Sequence, residues 1–79
     1  MRVRPSATKH GIDPEDSIYA ARTAVYVAAL DDEHPQCELR LGVDHHARLL
    51  ELVVPLWDDG TEELIHSMPA RKQYIALLS

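Results

Sequence analysis

The stretch "CELRLGVDHHARLLELVVPLW", residues 37–57, constrains the fold more than any other part of the chain. Cys37, Leu39, Leu41 and Val43 alternate with Glu38, Arg40 and Gly42, the period-two pattern of a strand with one buried face. "DHHA" turns the chain back, and "RLLELVVPLW" follows as a longer, more continuously apolar run of the kind found in the middle of a sheet. With so short a link the two strands pair antiparallel, and the rest of the chain has to be arranged around that hairpin.

The flanking segments extend the pattern on both sides. "DDGT" is a second hairpin turn, because Asp-Gly tolerates positive φ, and "EELIHSM" forms the last strand. Upstream, Val25–Leu30 reads as a strand and "DDEHPQ" as a polar turn containing a proline. Asp13 caps a helix that starts at Pro14 and runs to about residue 23, with Glu15 and Asp16 favourably placed at its positive end. Ile18, Ala21 and Val25 share one face of that helical spacing. "SATKHG" predicts a short helix or helical turn closed by Gly11 in the left-handed conformation. Pro69, lacking an amide hydrogen, ends the last strand and can begin the helix "PARKQYIALL", with Tyr74, Leu77 and Leu78 as its apolar stripe and Arg71, Lys72 and Gln73 turned outward. The expected fold is α+β: a four-stranded antiparallel meander with N-terminal helices and a C-terminal helix against one face, in a single domain spanning residues 1–79.

Size and composition restrict what such a domain can do. A chain of 79 residues buries about 60% of the surface its unfolded form exposes, enough for one core and one site. Its 46% hydrophobic and 27% charged residues are those of an ordinary folded protein. Cys37 is the only cysteine, so neither an internal disulfide nor a cysteine-based zinc site can form within the chain, and a reducing compartment is the simplest home. The first residues lack a signal-peptide core, and no run approaches the roughly 20 apolar residues that cross a bilayer, so a soluble cytoplasmic protein is expected, without membrane contact. His45 and His46 point apart on an extended chain and no helical histidine pair occurs, so no metal and no other cofactor is expected. Ser67 and Cys37 stand in no nucleophile signature, and Trp57 reads either as a base-stacking platform or as part of the core or an interface.

Charge is distributed unevenly. The net charge is -5, yet bases gather near the two ends, in "RVRPSATKH" and "ARK". If the ends meet, they form a basic patch on an acidic body, which favours an anionic partner there, whereas the acidic total opposes strong nonspecific binding of nucleic acid. The alternative is that these are simply solvated charges.

Three segments carry a family resemblance: "KHGIDPEDSIYAA" (residues 9–21), "LRLGVDHHARLLELVV" (residues 39–54), and the apolar strand that passes into a basic helix. Together they resemble the BrnT family, small toxins of bacterial toxin-antitoxin pairs with a fold related to the RelE ribonucleases. In that alignment Met68 takes the place of a family arginine and His66 that of a serine, with Arg71 offering positive charge further on. The resemblance implies a type II toxin that cleaves RNA without a metal, inhibits translation and is neutralised by a cognate antitoxin protein.

RNA cleavage of that kind needs a group to take the 2'-hydroxyl proton, positive charge for the phosphorane-like transition state, and a proton for the leaving oxygen. The candidate catalytic residues are His66, Arg71 and Glu51, and the candidate phosphate-binding residues are Lys9, His10, Arg40, Arg48 and Lys72. Period-two counting projects Arg40 and His66 from the sheet face opposite the core, with Glu51 beside them if Leu50, Leu52 and Val54 point inward. Two alternatives stay open: His66 packs beneath a helix with its nitrogens hydrogen-bonded, and Glu51 is a strand acid paired with Arg40. A noncatalytic module of the same fold, binding a protein or nucleic acid, is the competing function.

Overall fold

The computed structural model describes residues 1–30 and 34–79. Asp31, Asp32 and Glu33, the start of the polar turn expected at "DDEHPQ", lie outside the described residues. In chain order the elements are β1 (Arg2–Val3), a 3₁₀ helix (Pro5–Thr8), α1 (Pro14–Arg22), β2 (Tyr26–Ala29), β3 (Gln36–Val43), β4 (Leu49–Leu56), β5 (Glu63–Leu64), β6 (His66–Pro69), α2 (Lys72–Ile75) and a closing 3₁₀ helix (Ala76–Leu78). The antiparallel sheet β2-β3-β4-β6 is the expected four-stranded one, while β1 and β5 form a separate parallel pair.

The hairpin predicted at the centre forms, with β3 and β4 paired along their whole length. Its turn is built by Asp44, whose Oδ1 accepts the amides of His46 and Arg48 at 2.8 and 3.0 Å. In the second turn Gly60 takes φ +88 and its amide reaches the Trp57 carbonyl at 2.9 Å. The Asp13 cap is also present, its Oδ1 accepting the Glu15 amide at 2.8 Å.

The sheet buries residues on both faces, and this overturns part of the period-two assignment. Leu41 lies opposite Glu51, and Gly42 opposite Leu50. The face that carries Leu50, Leu52 and Val54 therefore also carries Arg40 and Gly42, whereas Leu39 and Leu41 are buried on the other face with Glu51. Helix α1 covers the first face: Ala20 and Ala21 join Leu50, Leu52, Val54, Ile12, Ala7 and Leu64 in the core, and Ser17 shares a 2.6 Å hydrogen bond with Ser67. The helix comes so close that a Cβ at Gly42 would collide with the Ala20 carbonyl oxygen, so the strand needs glycine there.

Three further expectations are corrected. The segment before Gly11 is a 3₁₀ helix ending at Thr8, leaving Lys9 and His10 in the turn that Gly11 closes at φ +79. The last strand is split at Ile65 into β5, which pairs with the N-terminus, and β6, which continues the main sheet. The C-terminal helix starts at Lys72 instead of Pro69, because Ala70 still donates to Leu49 across the sheet and Arg71 is extended at φ -79, ψ 158. None of its residues is buried, and Ile75, Leu77 and Leu78 are exposed.

Candidate active site

On the face opposite α1, four of the predicted residues converge. Glu51 sits in the middle of β4 with 1% exposure, flanked by β6 across the ladder at Met68 and by β3 at Leu41. A carboxylate buried so fully must be hydrogen-bonded. Its Oε1 accepts from the Arg71 amide and Nε, both at 2.9 Å, and its Oε2 accepts from Arg71 Nη2 at 2.8 Å and meets His66 Nε2 at 2.9 Å. Burial pushes the Glu51 carboxyl upward, but the side-chain and backbone hydrogen bonds of Arg71, the bond to His66 and the Arg71 charge outweigh it, so Glu51 is held below the ordinary glutamate range. The same contact, with Glu51's charge, raises Arg71 further into its protonated form.

The protonation state of Glu51 fixes the tautomer of His66. An ionised carboxylate only accepts, so Nε2 of His66 carries the hydrogen and a neutral ring has its lone pair on Nδ1. Among the described residues Nδ1 makes no hydrogen bond and no buried side-chain nitrogen or oxygen lacks a partner, so Nδ1 is not sealed from solvent. The side chain as a whole is 24% exposed. A buried carboxylate thus holds one imidazole nitrogen and leaves the other unpartnered among the described residues, an arrangement chemically able to accept a proton. Arg71 is 49% exposed and uses Nε and Nη2 on Glu51, with its guanidinium carbon 5.4 Å from the Tyr74 ring centre, and Nη1 has no hydrogen bond among the described residues. His10 completes the group from the turn before Gly11, its ring centroid 5.6 Å from that of His66 at an interplanar angle of 77°.

The other candidates lie apart. Arg40 points to the α1 face, where it binds Glu38 at 2.9 Å, Glu62 at 3.4 Å and the Ala21 carbonyl at 3.2 Å; the expected Arg40–Glu51 pair does not form. Arg48 is bound to Asp44 at 2.8 Å and approaches Asp16 at 3.7 Å, in a cluster at the N-terminal turn of α1. Lys9 and Lys72 are exposed and make no ion pair among the described residues. Lys9 adjoins His10, and Lys72 adjoins Arg71.

Two clusters were missed by the sequence reading. His45 and His46, expected to point apart, both turn to Asp16, at 3.1 and 3.4 Å, because they lie in a tight turn and not on an extended strand; His45 also stacks on Tyr19. The Asp at the head of "DHHA" was the available signal, since Asp44 organises that turn through its side chain. At the opposite end Glu63 accepts the Trp57 indole N–H at 2.7 Å and pairs with Arg4 at 3.5 Å and Arg2 at 3.8 Å. Arg2 and Arg4 thus serve the β1–β5 junction, and only the His10 and Arg71 parts of the basic termini meet at His66. The surface grooves beside Trp57 and Arg40 are lined by neither His66, Glu51 nor Arg71.

Among the described residues no group of three or more His, Cys, Asp or Glu is arranged to hold a metal ion, and no helix is long and apolar enough to cross a membrane. Comparison with family models, curated proteins and solved structures finds no match to this chain.

Proposed function

We propose that the protein is a small metal-independent ribonuclease, the toxin of a type II toxin-antitoxin pair with a RelE/BrnT-like fold, acting on RNA in the cytoplasm until a cognate antitoxin protein binds it. The observation that carries this reading is the imidazole of His66, whose Nε2 is fixed by the buried Glu51 on the same oxygen that binds the Arg71 cation, while Nδ1 has no hydrogen bond among the described residues. A base of this form takes the 2'-hydroxyl proton, and the neighbouring guanidinium offsets the negative charge that gathers on phosphorus oxygens in the transition state. Glu51 acts through His66, holding the ring's tautomer and direction, and is not itself the base. Lys9 and Lys72, next to His10 and Arg71 in the chain, add phosphate-attracting charge around the site. Arg40 and Arg48 have no part in it, since each is held by acids elsewhere.

One observation favours the second reading, a noncatalytic interaction module. Arg71 gives both a backbone and a bidentate side-chain contact to Glu51, so much of its charge is already compensated. Induced expression in a bacterium separates the two. The ribonuclease reading expects growth arrest by the wild type, abolished by His66→Ala and Arg71→Ala while folded protein still accumulates. Normal growth with abundant folded wild type would assign the protein to the interaction class.

A further inference from the structure

We infer that His10 is the second proton-transfer group of this site, the acid that protonates the leaving 5'-oxygen. The inference rests on the ribonuclease reading and adds a residue to it. His66 by itself can remove a proton but cannot at the same moment supply one to the other side of the phosphate. Each proton-transfer group must come within about 2.6–3.2 Å of the oxygen it serves, so two groups serving one phosphodiester have to be near neighbours. Among the described residues the ring nearest to His66 is His10, with centroids 5.6 Å apart and the rings edge to face. His10 is exposed and has no hydrogen bond or ion pair among the described residues, so its nitrogens are free to exchange protons with water and to meet a substrate.

Its position is built, not incidental. The 3₁₀ helix Pro5–Thr8 is tied to the residue just before His66, because Ser6 Oγ donates to the Ile65 carbonyl at 2.7 Å, and Ala7 is buried in the core. Gly11 then reverses the chain at φ +79, its amide on the Thr8 carbonyl at 3.1 Å, which brings the intervening His10 over β6. The two imidazoles also differ in their surroundings. His66 is directed by an anionic carboxylate on Nε2, whereas no carboxylate among the described residues contacts His10.

The step balances as follows. His66 Nδ1 takes the 2'-hydroxyl proton, the 2'-oxygen forms a bond to phosphorus, the bond from phosphorus to the 5'-oxygen breaks, and the His10 imidazolium gives its proton to that oxygen. The products are a 2',3'-cyclic phosphate and a 5'-hydroxyl, with His66 protonated and His10 neutral. Proton exchange with water restores both.

The test compares two substrates, a dinucleotide and a uridine 3'-aryl phosphodiester whose p-nitrophenolate departs without protonation. His10→Phe keeps an aromatic ring against His66 but has no proton to give, and His10→Asn is a smaller polar replacement; circular dichroism establishes that each is folded. Both variants are expected to cleave the dinucleotide at least about 100-fold more slowly, the usual scale for losing one general acid, and the aryl ester within about threefold of wild type. The dinucleotide pH profile should also lose its fall on the alkaline side. Wild-type dinucleotide rates in both variants, or equal losses on both substrates, overturn the acid role while leaving a ribonuclease in place. A wild type that cleaves neither substrate overturns the ribonuclease reading and this inference together.

Discussion

Glu51 is a buried carboxylate whose four hydrogen bonds among the described residues come from His66 and Arg71, so these three residues form one unit. Glu51→Gln keeps the shape but turns one acceptor into a donor facing His66 or Arg71. With a buried donor left unmatched, we expect a loss of about 1–3 kcal/mol, measured by urea unfolding, together with loss of any RNA cleavage. An unchanged urea midpoint would show that the carboxylate does not clamp the site. The tautomer is separately measurable: imidazole nitrogen shifts of the neutral His66 ring should show hydrogen on Nε2 and a bare Nδ1 in the wild type, and a mixture in Glu51→Gln. The sequence named His66, Glu51 and Arg71 but mistook their relation. Arg71 looked like an outward helix residue, and only the extended backbone at Ala70 and Arg71, which delays the helix, shows that it reaches back to β4.

At the level of elements, the β3–β4 hairpin, both turns and the capped start of α1 were legible because each rests on local chemistry: alternation, an Asp-Gly turn and an N-cap. The phase of β3 was not. A period-two pattern tells which residues share a face but not which face meets the helix, and here Leu41 is as buried as Leu52 on the opposite side. Gly42 was the usable clue, since a glycine inside a strand often marks a close backbone approach. Gly42→Ala places a methyl group against the Ala20 carbonyl and forces α1 away from the sheet. Its expected cost is about 1–3 kcal/mol, read as a thermal midpoint lowered by roughly 4–8 °C for each kcal/mol in a domain of this size. Wild-type melting in that variant would place α1 differently. The split of the last strand at Ile65 had no local signal, because it depends on β1 arriving from the far end of the chain.

At the scale of the whole molecule, the ends of the chain meet only in part. His10 and Arg71 close on His66, while Arg2 and Arg4 are drawn to Glu63. Of the buried carboxylates, Glu51 joins β4 to His66 and Arg71, and Asp44 holds its own turn through His46 and Arg48. Asp44 resembles Glu51 in its balance: burial raises it, but the amides of Arg48 and His46 and the Arg48 side chain lower it further. Groups with depressed folded-state values bind protons more readily when unfolded. Their stabilisation is complete above the ordinary carboxylate range and is lost as pH falls through the folded values, so their contribution to the unfolding free energy should be level above about pH 5 and drop below about pH 4. Asp44→Asn and Glu51→Gln should each flatten that drop; an acid limb of unchanged steepness in both would contradict the assignment. The central claim is tested most directly by incubating purified protein with an RNA oligonucleotide in the presence of a chelator and identifying the new ends. The expected result is 2',3'-cyclic phosphate and 5'-hydroxyl termini that His66→Ala no longer produces, and intact RNA with the wild type, or cleavage indifferent to His66→Ala, would contradict it.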